Sequence, residues 1–260
     1  MIHFSTLIPY GTEVWSNVGL LSDASLNLTH GYFPNILNHY DSPGAVRLFL
    51  GFLLFASVLF LFGVQRQFAS LFLWYGWVCL FDRNNLISNP GIPFIGWILL
   101  CCAVIPNGEP WSLFPKKKDG WNFPQLLFVG AWIIMSVGYT ISGFDKFTSP
   151  SWRDGTAIIH LLSNPLARDW GLRTFFLSLP ETILHCMTWA ILLIEMAFLP
   201  LAIWKKTRKW IWLTMIVMHM GILLIVDFAD LTLGMLMIHW FTFDNSWLKS
   251  RLEKDVKQSK

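Results

Sequence analysis

At 260 residues, 54% hydrophobic and only 13% charged, the chain carries far fewer ionisable side chains than an ordinary soluble domain, where about a quarter of residues are charged. A mean hydropathy of +0.50 argues against a soluble globular protein and for an integral membrane one. The net charge of +3 is small, and no basic stripe of the kind that tracks nucleic acid runs along any segment.

Residues 1–44 mix polar positions with turn formers (Pro9, Gly11, Pro34, Pro43, Gly44) and read as an outward-facing extramembrane segment with one interfacial helix. Met1-Ile-His-Phe-Ser lacks a basic n-region and an apolar h-region, so it does not read as a signal peptide. The first spanning run is 45–64, since about 20 apolar residues cross the hydrocarbon core. Runs 68–81 and 92–105 are shorter and flank the polar loop from Asp82 to Gly91. Further runs lie at 125–143, 183–204 and 209–226, with a shorter last one at 231–243. Between them Trp152-Arg-Asp-Gly-Thr-Ala-Ile-Ile-His160-Leu-Leu-Ser163 predicts an amphipathic interfacial helix over 152–163. The expected fold is therefore all-α, a polytopic bundle of about seven spans, with a membrane domain over 45–247 and a basic tail over 248–260.

Most of the nineteen basic residues lie in four places: Arg66, Lys116–Lys118, the group Lys205, Lys206, Arg208 and Lys209, and the tail from Lys249 onward. Seven alternating helices put all four on one side, which the positive-inside rule makes cytoplasmic. The chain is then a multi-pass plasma-membrane protein with the loop at 144–182 outside and the tail inside.

The chemistry concentrates at Tyr139-Thr-Ile-Ser-Gly143-Phe-Asp-Lys146, immediately after a spanning run. A lysine there either snorkels to the headgroups or, partly shielded from water, serves as a general base. Asp145 and Asp154 are candidates to keep it charged, and Gly143 would let a backbone or ligand approach closely. Glu195 and His219 fall near the midplane of consecutive helices at about 1.5 Å per residue. A lone carboxylate at that depth is costly, so the two are expected to pair with each other, joined by Thr188 and Thr214. His160 could face a cavity from its interfacial helix. His185 and His239 lie near helix ends, and no two histidines have the i, i+3 or i, i+4 spacing of a helical metal site, so no metal is expected. Cys79, Cys101, Cys102 and Cys186 form no CxxC pair and read as reduced, buried hydrophobes.

The block Tyr139-x-Ile-Ser-Gly-Phe-Asp-Lys146, followed by Trp152-Arg-Asp-Gly-Thr-Ala, resembles the signature of the HTTM (horizontally transferred transmembrane domain) proteins, which include the membrane part of vitamin K-dependent gamma-carboxylases. Asp82-Arg-Asn-Asn-Leu-Ile-Ser-Asn89 and Pro106-Asn-Gly-Glu-Pro-Trp-Ser112 are similar to two further family blocks, and Glu195, His219 and the Phe-rich end at 241–243 follow in family order. The resemblance spans roughly 20–247. It implies that Lys146 is the base that deprotonates a quinol such as vitamin K hydroquinone, with His219, Glu195 and His160 supporting the site. It also implies that Gly143, Trp152, Asn84 and Asn85 lie against the cofactor. Two departures matter: the carboxylases' Asn-His pair stands here as Asn84-Asn85, and neither the family's first membrane helix nor a luminal peptide-binding domain is expected around this chain. The size suits the small bacterial members of the sporulation-delaying toxin type. The expected partners are then a secreted peptide or toxin precursor, membrane lipid and an accessory protein. A non-catalytic scaffold or immunity-like peptide binder is the alternative. A transporter is disfavoured because no inverted repeat or broken-helix signal is visible.

Overall fold

The computed structural model describes residues 1–107, 112–113, 121–227 and 229–247. The Lys116–Lys118 run and the 248–260 tail lie outside the described residues. All regular structure among those described is helical; the only extended pairing is a single bridge between Ala167 and Val226. Two compact units divide the chain, Met1–Pro124 and Gln125–Lys260.

In the first unit, short helices α1 (Ile2–Leu7) and α2 (Gly11–Trp15) precede three apolar ones, α3 (Pro43–Leu61), α4 (Arg66–Arg83) and α5 (Gly91–Val104). Ser42 caps α3 by accepting the Ala45 N–H at 3.3 Å, and Pro43 occupies the first turn, where its missing N–H costs nothing. The N-terminal segment is fastened to the end of α4. The indole of Trp15, 1% exposed, donates to the Leu80 carbonyl at 2.8 Å, and the Asn35 amide donates to the Cys79 carbonyl at 2.8 Å. Arg83 is wholly buried, donates to the carbonyls of Leu21 and Ser22, and pairs with Asp41 at 3.6 Å. Leu37, Val46, Leu50, Leu53, Leu73 and Trp77 fill the space between.

The second unit begins with α6 (Gln125–Thr148), followed by α7 (Pro150–Arg153), α8 (Ala157–Ser163) and α9 (Gly171–Leu177). It continues with α10 (Glu181–Met196), α11 (Phe198–Ile203), α12 (Lys205–Ile225) and α13 (Ala229–Phe241). Helix α6 packs on α10, α11 and α13, and α12 packs on α11 and α13.

Helices stand at all seven apolar runs, but they differ in reach. Three of them, α3, α6 and α12, are long and apolar enough to cross a bilayer, and the pair α9–α10, bent by 105°, makes a fourth if it acts as one broken span. Helices α5 and α13 are apolar but shorter, with 14 and 13 residues.

Two expected helices prove to be broken. The run 183–204 divides at Ala197 because Pro200 has no N–H to continue the ladder. The Thr140 hydroxyl on α6 accepts the Leu199 N–H at 3.1 Å, which takes up one of the donors freed there. The interfacial helix expected over 152–163 is two pieces, α7 and α8, separated at Gly155. That glycine has φ +87°, a left-handed conformation that side-chain-bearing residues rarely adopt. The Trp189 indole donates to the Arg153 carbonyl at 3.1 Å, and the Ile158 N–H donates to the Thr188 hydroxyl at 3.3 Å, so α10 holds the corner in place.

Candidate functional site

The site is built on one face of α6. Tyr139, Ser142, Gly143 and Lys146 recur at helical spacing and so point the same way. Gly143 sets the distance to α10. A Cβ at that position would stand 2.6 Å from the Met196 backbone nitrogen and 3.0 Å from the Glu195 carbonyl carbon. The absence of a side chain there lets the two backbones touch, which brings Glu195 beside Lys146.

Lys146 and Glu195 form an ion pair, Nζ to Oε2. The Lys146 ammonium also donates to the Ser142 hydroxyl at 2.7 Å, and that hydroxyl donates to the same Glu195 oxygen at 3.2 Å. Trp152, at the start of the corner, presents its ring 5.4 Å from Nζ, within cation–π range. The Lys146 side chain is 27% exposed and that of Glu195 5%. The amine therefore has one side open while its partner is closed off.

A second cluster lies deeper along α6. The Tyr139 hydroxyl is 2.7 Å from His219 Nε2 on α12 and 3.5 Å from His239 Nε2 on α13. His239 Nδ1 lies 2.8 Å from the Met235 carbonyl, which assigns its proton to that nitrogen and leaves Nε2 as an acceptor. His219 Nδ1 is buried with no partner among the described residues. Trp212 donates to the His239 carbonyl at 3.1 Å, and the Tyr139 ring packs against Phe198 at 4.7 Å. The two clusters are separated by seven residues of α6, about 10 Å along the axis.

These contacts revise several expected pairings. Glu195 meets Lys146 and not His219, because the backbone contact at Gly143 sets that turn of α10 against the last turns of α6. His219 bonds Tyr139 instead. Asp145 is exposed, one residue round the helix from the Lys146 face. Asp154 is engaged by Thr156, whose N–H and hydroxyl lie 2.9 and 2.6 Å away and hold its carboxyl below the usual carboxylate range. Thr188 bonds backbone at Ile158 and Leu184, and Thr214 is exposed on α12, so neither joins either cluster. His160 is exposed on α8, apart from Lys146.

Asn84 and Asn85 belong to the first unit. The Asn84 amide donates to the Val14 carbonyl at 2.8 Å and its oxygen accepts the Leu86 N–H at 3.1 Å, so its side chain is taken up in shaping the loop after α4. Asn85 starts the short 3-10 turn there and is half-buried. Among the described residues no three His, Cys, Asp or Glu side chains gather as a metal site. No disulfide joins the cysteines; Cys79 and Cys101 are buried and Cys186 is exposed.

Ser142, Tyr139 and His239 are the residues that sequence reasoning missed; Ser142 lies one turn before Lys146 on α6. Tyr139 had a signal, since it stands seven residues before Lys146 on the same face; His239 had none, because its approach depends on how α13 crosses α6. Replacing Tyr139 with Phe should lower stability by about 1 kcal/mol, since it leaves His219 buried without its hydroxyl partner. Unfolding of the purified protein in detergent, followed by tryptophan fluorescence, would measure it; an unchanged midpoint would deny the bond any weight.

No protein-family model matches the chain, and no curated protein and no solved structure matches it significantly.

Proposed function

We propose that this chain is a multi-pass plasma-membrane protein of the HTTM kind that acts in the modification or maturation of a secreted peptide or toxin precursor at the outer membrane face. In this reading all seven apolar helices cross or enter the bilayer, the Lys146 end of α6 faces outward, and the basic tail is cytoplasmic. Lys146 is the proton-accepting amine toward a lipid-soluble acid, such as a quinol, that enters from the hydrocarbon phase beside Trp152. An accessory protein would present the peptide.

The observation that carries this reading is the half-open amine resting on a closed carboxylate. To take a proton from a ligand, Lys146 must first give one up, and among the described residues its hydrogen-bond acceptors are Glu195 and Ser142. Glu195 can receive that proton without any net change of charge at the site, which a poorly solvated position favours. Trp152 supplies an aromatic surface next to the amine for a flat ring to stack on.

A second reading is favoured by the same pair. Two opposite charges that satisfy one another can be a clamp between α6 and α10 in a non-catalytic scaffold or immunity-like peptide binder. Lys146→Arg separates the two. Arginine keeps the charge and the pairing but cannot deliver a free amine at any accessible pH. In a strain carrying the native neighbouring genes, this variant should insert normally and leave the peptide product unmodified in mass and inactive. A product of unchanged mass and activity would sink the enzymatic reading and leave the scaffold.

A further inference from the structure

The second unit also contains a cleft of about 240 Å³ between the first half of α6, α11 and the start of α12, away from Lys146. Its walls are mostly apolar, with Val129, Trp132, Ile133, Leu199 and Ile203 among them, and its polar lining residues are Gln125, Ser136 and Arg208. The Arg208 guanidinium lies 5.4 Å from the Trp132 ring. Its Nε and one terminal nitrogen donate to the Ala202 and Ile203 carbonyls at 2.6 and 3.2 Å, which fixes the group in place. These two bonds use two of its five N–H donors. The indole N–H of Trp132, a residue 8% exposed, is buried without an acceptor among the described residues.

The charges around this end call for an anion. Helix α12 opens with Lys205, Lys206, Arg208 and Lys209, has no acidic residue in its first turn and no side-chain cap. Four cations at a helix N-terminus oppose the macrodipole, and an anion bound there relieves both the dipole and the mutual repulsion. Trp204 and Trp210, 67% and 66% exposed, flank the same turn, as large aromatics do at a membrane interface.

We propose that this cleft binds one anionic phospholipid, with the phosphate on Arg208 and the Lys205–Lys209 turn and one acyl chain lying along Val129, Ile133 and Leu199. An arginine fork and a basic turn fit a phosphodiester, and the largely apolar lining beside Arg208 fits a chain and not a soluble anion. The site does not depend on the chemistry assigned to Lys146.

Native mass spectrometry of the full chain in neutral detergent tests this, with dioleoyl phosphatidylglycerol and dioleoyl phosphatidylcholine added in competition. One phosphatidylglycerol should be retained per chain, preferred about tenfold over phosphatidylcholine, as one charge-assisted contact would give. Arg208→Gln should abolish the preference. Because Arg208 also bonds the end of α11, the exposed triple variant Lys205→Gln, Lys206→Gln, Lys209→Gln serves as a second probe and should weaken the preference while leaving the circular dichroism unchanged. Val129→Trp should fill the slot and reduce retention of both lipids. Equal retention of the two lipids by the wild-type chain would overturn the proposal, as would displacement of phosphatidylglycerol by millimolar inorganic phosphate.

Discussion

Lys146→Met should destabilise the protein more than Glu195→Leu, although the two substitutions break the same ion pair. Removing one member of a buried pair costs about 3–5 kcal/mol when the remaining charge stays out of water. Glu195 is that case, since its side chain is 5% exposed and sits against the backbone contact at Gly143. Lys146 is not, because its side chain is 27% exposed and the ammonium can turn outward along its own aliphatic stem. Lys146→Met is therefore expected near the upper end of that range and Glu195→Leu at about 2 kcal/mol. The double variant should recover most of the loss, since it leaves no unpaired charge. Equilibrium unfolding in mixed micelles completes the cycle. Losses that simply add would show that the two groups do not act as a pair.

Gly143→Ala should destabilise the second unit although it adds a single methyl. Its Cβ would meet backbone atoms of Met196 and Glu195, which cannot swing aside as a side-chain tip would. Overpacking of this kind costs about 1–3 kcal/mol, against a gain of about 1 kcal/mol from replacing a helical glycine, so the net expectation is a loss of about 2 kcal/mol at most. Gly221→Ala is the control. It lies inside α12 with nothing within 4 Å of the added carbon, so only the helix-propensity gain applies and the variant should be neutral or slightly more stable. Thermal unfolding of both variants in the same detergent decides the matter. Equal midpoints would mean that α6 and α10 do not meet at Gly143. If α6 and α10 separate, the Lys146–Glu195 pair should loosen with them, so the damage at Gly143 should shrink in the Lys146→Met, Glu195→Leu background.

The site was partly legible in the chain. An amine beside a glycine and two carboxylates after an apolar run marked the end of α6 as unusual, and Glu195 and His219 stood out as polar groups in otherwise apolar helices. What could not be read was their pairing. Equal depth from the helix ends pointed to Glu195 with His219, but the close approach of α10 at Gly143 sets Glu195 against Lys146. Thr188 looks equivalent to Glu195 as a polar residue on α10, yet its hydroxyl is used locally by Leu184 and Ile158. His160 looked poised on an amphipathic helix, but Gly155 divides that helix and leaves the histidine exposed.

The sequence by itself determined that the chain is helical, where the apolar helices lie and which few ionisable side chains interrupt them. Composition and periodicity are local properties, and burial of an apolar stretch does not depend on which neighbour covers it. Only the tertiary structure decided that Lys146 faces Glu195, that Tyr139 faces His219 and His239, and that Arg208 lines a largely apolar cleft. Those pairings turn on the rotation and level of each helix against the next. They are set by contacts such as Gly143 on Met196, whose two partners are far apart in sequence.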